Sequence, residues 1–173
     1  MKTLILHPSD ITTDFLKPIY EGREWTVINT DISKTKLINH IRKHDRIVFL
    51  GHGTWDGLMG YGRFVIDSTW VSFFKDKLCV YIWCNADIFV REHNLKGFYT
   101  GMIISDLAEA FMYGVDATQE DVNTSNSLFA EAICSSINQV DMVGAAKSIY
   151  DGDNPVIAYN KNNLFQYEGL KQY

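Results

Sequence analysis

The sequence predicts an α/β fold, a three-layer sandwich around a mostly parallel central sheet of about six strands. Two observations carry that prediction. Apolar runs of strand length alternate along the chain with segments of helical period, the pattern of a parallel sheet with helices on its faces. Two of these runs, 46–50 and 78–83, are apolar almost throughout instead of alternating, as strands covered on both faces are. With 173 residues, 46% of them apolar, the chain suits a single domain over residues 1–173, a size that buries about 70% of its unfolded surface.

The first strand is Thr3-Leu4-Ile5-Leu6-His7, ended by Pro8, and a short helix separates it from the second, Trp25-Thr26-Val27-Ile28-Asn29. Ser33 opens the next helix as its cap; Leu37, Ile38 and Ile41 share one face, and Arg42-Lys43-His44 complement the dipole at its carboxyl end. The third strand, Arg46-Ile47-Val48-Phe49-Leu50, is central. An amphipathic helix from Ser68 to Lys77 carries Trp70, Val71, Phe73 and Phe74 into the fourth strand, Leu78-Cys79-Val80-Tyr81-Ile82-Trp83. The fifth strand is Phe98 to Ile103, followed by a helix from Ser105. Its acidic start, Ser105-Asp106-Leu107-Ala108-Glu109, reads as a cap. A further helix runs from Ser125 to Asn138. The last strand, Pro155-Val156-Ile157-Ala158-Tyr159, starts with proline and is expected at an edge.

Composition excludes several classes of function. Sixteen basic residues against 21 acidic ones, scattered apart from residues 42–46, do not make the concentrated basic surface that nucleic acid requires. No segment approaches the roughly 18 uninterrupted apolar residues of a membrane span. The amino terminus lacks a small-residue cleavage site, which predicts a cytoplasmic location. Cys79, Cys84 and Cys134 form an odd set with no C-x-x-C pair, so reduced thiols are expected instead of disulfides or a zinc site. Neither a metal nor an organic cofactor is called for.

Chemistry concentrates at two strand ends. Leu50-Gly51-His52-Gly53-Thr54-Trp55-Asp56-Gly57 opens a glycine-rich loop running to Gly62, and it places a titratable imidazole where ligands of open α/β sheets gather. Tyr81-Ile82-Trp83-Cys84-Asn85-Ala86-Asp87 puts a thiol at the equivalent end of the next strand. Parallel neighbours lie about 4.8 Å apart, close enough for an imidazole to take a thiol's proton and for the thiolate to attack an acyl carbon. Asp56 and Asp87, each a few residues from a reactive group, are the carboxylates placed to orient His52 or to contact a cationic substrate. Cys84 is expected to be the reactive thiol, with Cys79 and Cys134 buried. The glycines do not form G-x-G-x-x-G, so a dinucleotide site is not predicted.

An apolar strand, His52-Gly53, a second apolar strand and Cys84, in that order, resemble the caspase-like fold of the clan CD cysteine peptidases, which includes caspases, metacaspases, gingipains, legumain and separase. In that clan the histidine follows the third core strand and the cysteine the fourth. The resemblance implies peptide-bond hydrolysis through a thioester, with the amides of Gly53 and Cys84 as oxyanion donors. Glutamine amidotransferases of class I place the cysteine before the histidine and do not match. Departures are visible: Ile82 stands where many relatives specific for arginine or lysine carry an aspartate, and Ile82-Trp83-Cys84-Asn85-Ala86 replaces Gln-Ala-Cys-Arg-Gly. The chain is also short for the clan, which leaves room for an activating partner or a second copy to complete the pocket. The partner class expected is a peptide or protein substrate; the alternative is a catalytically silent domain that binds a protein or ligand through the same cleft.

Overall fold

The computed structural model describes residues 1–168. β1 (Thr3–Leu6) leads through a 3₁₀ segment (Ile11–Ile19) to β2 (Thr26–Ile28), α1 (Lys34–Lys43) and β3 (Arg46–Leu50). A small antiparallel sheet of β4 (Gly53–Thr54), β5 (Gly57–Gly60) and β6 (Arg63–Ile66) follows, then α2 (Val71–Phe74), β7 (Leu78–Ile82), α3 (Ala86–Glu92) and β8 (Gly97–Thr100). α4 (Leu107–Met112), α5 (Gln119–Ser136), α6 (Met142–Ile149), α7 (Pro155–Lys161) and β9 (Leu164–Tyr167) complete the order.

The main sheet has six strands in the order β2-β1-β3-β7-β8-β9, parallel except for β9, which runs antiparallel to β8. Side-chain alternation divides the strands between two layers of helix. Leu4, Leu6, Ile47, Phe49, Cys79, Tyr81 and Trp83 pack on α1, α2 and α3, where the rings of Phe49, Phe74, Tyr81, Trp83 and Phe89 meet edge and face. Ile5, Val48, Leu50, Val80 and Ile82 point the other way, onto the 3₁₀ segment, α5, α6 and α7. Buried Arg46 ties the amino end of β3 to the end of α5, donating to the Ile137 carbonyl at 3.0 Å while its guanidinium stacks on Trp25.

Among the elements that differ from the sequence prediction, four have a clear local reason. Pro155–Tyr159 is the helix α7 and not an edge strand: Asn154 caps it by accepting from the amides of Val156 and Ile157, and proline at the first helical position suits the helix start. The sixth strand is instead Leu164–Tyr167. α5 begins at Gln119, not at Ser125, because Thr118 and Asp121 form a reciprocal capping box. The glycine-rich loop running to Gly62 lies within the small sheet of residues 53–66, in which a side chain at Gly57 would collide with the Ile66 carbonyl. β8 stops at Thr100; the Gly101 amide still donates to the Asn163 carbonyl, one pair beyond the ladder with β9, and residues 102 and 103 lie outside the strand. Among the described residues no helix is long and apolar enough to cross a membrane.

Candidate active site

β3 and β7 are paired so that Leu50 lies opposite Ile82, and the Gly51 amide donates to the Ile82 carbonyl at 3.1 Å. Two residues further along each chain stand His52 and Cys84. They inherit the parity of Leu50 and Ile82, and so open on the side of the sheet covered by the 3₁₀ segment and α5. Both line one cleft of about 30 Å³, walled by Thr13, Phe15 and Leu16 on one side and by Ile103, Ser105 and Phe129 on the other. Cavities of about 270 and 590 Å³ open elsewhere, but neither brings a thiol together with an imidazole.

His52 is held from the 3₁₀ segment, whose start is capped by Asp10. The Thr12 hydroxyl donates to Asp10 Oδ1 at 2.7 Å, because an ionised carboxylate can only accept. Its one proton is thereby used. The 2.6 Å contact between Thr12 Oγ1 and His52 Nε2 must then run from the ring N–H to the hydroxyl oxygen. Nε2 carries the proton and Nδ1 of the neutral ring carries the basic lone pair. Hydrogen bonds from the Thr12 hydroxyl and amide hold the Asp10 carboxyl below its ordinary value, so it remains an anion 4.0 Å from Nε2.

Cys84 sits in the tight connection from β7 to α3. Asn85, directly after it, adopts a left-handed conformation with φ 63°, one that asparagine tolerates better than most residues. The thiol donates to the Ile103 carbonyl at 3.6 Å. Burial, with a smaller contribution from the carboxylates of Glu109 and Asp106, pushes it up to about 11, so at neutral pH it is protonated. Among the described residues no hydrogen bond joins it to His52.

The sequence Trp83-Cys84 and the sequence His52-Gly53 lock together. Any side chain at Gly53 would overlap the Trp83 indole, and Trp83 Nε1 donates to the Thr54 carbonyl at 2.9 Å. The hairpin also frees an amide. Met59 N donates to the His52 carbonyl at 2.8 Å, so the next pair along, Gly53 and Leu58, is of the type without ladder hydrogen bonds, and the Gly53 N–H points away from β5. The Cys84 amide likewise has no acceptor among the described residues.

The two predicted aspartates stand apart from this cleft. Asp56 is exposed in the β4–β5 turn, where its amide donates to Thr54 Oγ1, and Asp87 lies in the first turn of α3, close in field to Arg91. Neither lines the cleft. Cys79 is buried, and burial drives its thiol up to about 12; Cys134, expected to be buried, is half-exposed with Arg23 Nη2 3.1 Å from its sulfur. Asp10 and Thr12 are the site residues that sequence reasoning missed. Their signal was available as Asp10-Ile11-Thr12-Thr13, an aspartate cap opening a short helix just beyond the first strand. No group of three or more metal-binding side chains occurs among the described residues. Compared with protein-family models, with curated proteins and with solved structures, the chain finds no match.

Proposed function

We propose that the protein is a cysteine peptidase in which Cys84 is the nucleophile and His52 the general base and acid. The observation that carries this reading is the shared cleft: thiol and imidazole open into one space from neighbouring strand ends, with Asp10 and Thr12 presenting His52 as the Nδ1 base. The resemblance noted in the sequence agrees with it, since His52 follows the third strand of the main sheet in chain order and Cys84 the fourth.

In the reaction, His52 Nδ1 takes the Cys84 proton and the thiolate attacks the peptide carbonyl carbon. The developing oxyanion is met by the amides of Gly53 and Cys84, donors of a kind worth about 3 kcal/mol each. The imidazolium returns its proton to the leaving amine as the C–N bond breaks, which leaves a thioester. Water, deprotonated by His52, then attacks that thioester; the carboxylic product departs and the thiol is restored. The Asp10 carboxylate, acting through Thr12, stabilises the transient imidazolium.

A second reading, a caspase-like domain that binds a peptide without cleaving it, is favoured by one observation. The thiol is protonated and hydrogen-bonded to Ile103 instead of His52. Incubation with a mixed peptide library, with products read by mass spectrometry, separates the two. The peptidase reading requires cleavage by wild type that is lost in Cys84→Ala and in His52→Ala. Binding without cleavage in all three would establish the silent domain.

A further inference from the structure

The residue on the acyl side of the scissile bond carries its side chain on the carbon next to the one that the Cys84 sulfur attacks. That side chain must therefore enter the space around Sγ. Phe15, Leu16, Ile82, Ile103 and Phe129 supply its apolar walls, and no aspartate, glutamate, lysine or arginine lines it. Its volume is about 30 Å³, against about 270 and 590 Å³ for the cavities that open elsewhere, so a small side chain fits it best. On the peptidase reading, we infer that the enzyme selects substrates with a small, uncharged side chain, that of glycine, alanine or serine, at this position.

Three features keep the cleft small and neutral. Its floor is pinned, because the Phe129 ring packs edge-on against Tyr150 with centroids 5.6 Å apart. The Tyr150 hydroxyl is in turn fixed by Ser125 Oγ at 2.6 Å and by Asn160 Nδ2 at 3.1 Å. Widening the cleft would break this buried network. Nearby carboxylates are also committed elsewhere. Glu109 Oε2 accepts from the amide and hydroxyl of Ser105 at 2.7 and 3.0 Å, Asp106 caps the Glu109 amide at 2.8 Å, and Asp10 is held by Thr12. A lysine, arginine or aspartate entering here would lose its hydration with no group of opposite charge lining the cleft to pair with it.

The test has one arm that needs no catalysis. In a Cys134→Ser chain, Cys84 is treated with methyl methanethiosulfonate and with its sulfonatoethyl and trimethylammonioethyl analogues. Each forms a mixed disulfide and releases methanesulfinate, and rates are taken relative to free cysteine. The neutral methyl reagent is expected to be at least tenfold favoured over both charged ones; equal relative rates overturn the selectivity of the cleft. The second arm profiles peptides varied at the acyl-side residue. Glycine, alanine and serine are expected at least tenfold above lysine, aspartate and phenylalanine in kcat/KM, with Phe15→Ala admitting leucine and phenylalanine. Phe15 is only half-buried, so this variant keeps the fold where the buried Phe129→Ala can lose it. Preference for a charged residue overturns the inference while leaving the peptidase reading intact. Charge-selective labelling without cleavage of any peptide overturns the peptidase reading and the substrate assignment with it, and leaves the neutrality of the cleft standing.

Discussion

His7 and His52 follow neighbouring parallel strands, β1 and β3, and both reach into the same 3₁₀ segment, yet they serve different ends. His7 is only 2% exposed, with Nδ1 on the Tyr20 hydroxyl and Nε2 on Thr13 Oγ1, each at 3.0 Å. Burial holds it down at about 4, so it is a neutral clamp on the segment. His52 has a side chain 45% exposed and takes the adjacent threonine, Thr12, through one nitrogen alone. The difference lies in burial and in how many ring nitrogens are occupied. A histidine with both nitrogens engaged in the core holds structure, whereas one anchored through a single nitrogen at a cleft retains a lone pair for chemistry.

Exchanging the roles of the two histidines is the sharpest way to break this comparison. His52→Ala should lower peptide turnover by about 10³-fold or more while changing stability by no more than about 0.5 kcal/mol. His7→Ala should do the reverse, costing about 2–4 kcal/mol in urea denaturation through a cavity and two unpartnered hydroxyls. Comparable losses of stability in both variants would refute the division of labour.

The pH dependence of stability separates them next. His7 has a lower pKa folded than unfolded, so between about 6.5 and 4 the unfolded chain binds more protons. Stability is then full above the unfolded value and declines as pH falls, by on the order of 3 kcal/mol at the acid end of that window. Urea midpoints at pH 7 and pH 4.5 measure it, and the slope should flatten in His7→Gln. An unchanged slope there would assign the effect to other groups.

Thr12 and Thr13 carry the same contrast into the segment. Thr12→Val removes the link between Asp10 and His52 at nearly constant volume, and turnover should fall about 10–100-fold, as for outer partners that orient a functional imidazole. The rate–pH profile should shift with it, and Thr12→Ser should restore both. A loss that serine does not rescue would point to packing.

Smaller effects are expected from the thiol and from the outlying aspartates. Cys84 alkylation by iodoacetamide in the resting protein should rise about tenfold per pH unit from 7 to 9, since the thiol is held near 11. A plateau near neutrality would mean that His52 already deprotonates it. Asp56→Ala and Asp87→Ala should each change stability by no more than about 0.5 kcal/mol and leave turnover unchanged, since neither lines the cleft. A loss of turnover would place one of them on the substrate path.

Much of this was legible in the linear chain where the signal is local. The apolar runs at 46–50 and 78–83 lack the alternating polar positions of a half-exposed strand, which points to buried strands, and His52 and Cys84 follow just beyond them. Pro155-Val156-Ile157 misled because a short apolar run has no clear period, and the deciding signal was the Asn154 cap outside it. The thiol's partner was hidden for another reason. Ile103 was read as the end of a strand, and only the departure of the chain after Thr100 turns its carbonyl toward Cys84.

The sequence by itself determined the α/β class, the central strands and the strand-end placement of the two reactive residues, because hydrophobic period and strand termination are properties of neighbouring residues. Tertiary structure alone decided what those residues face. Thr12 and His52 are 40 positions apart, and Cys84 and Ile103 are 19 apart. Such contacts depend on strand order and on which layer covers each face, information that apolar patterning does not carry, and they determine which ring nitrogen is basic, why the thiol stays protonated and how narrow the cleft is.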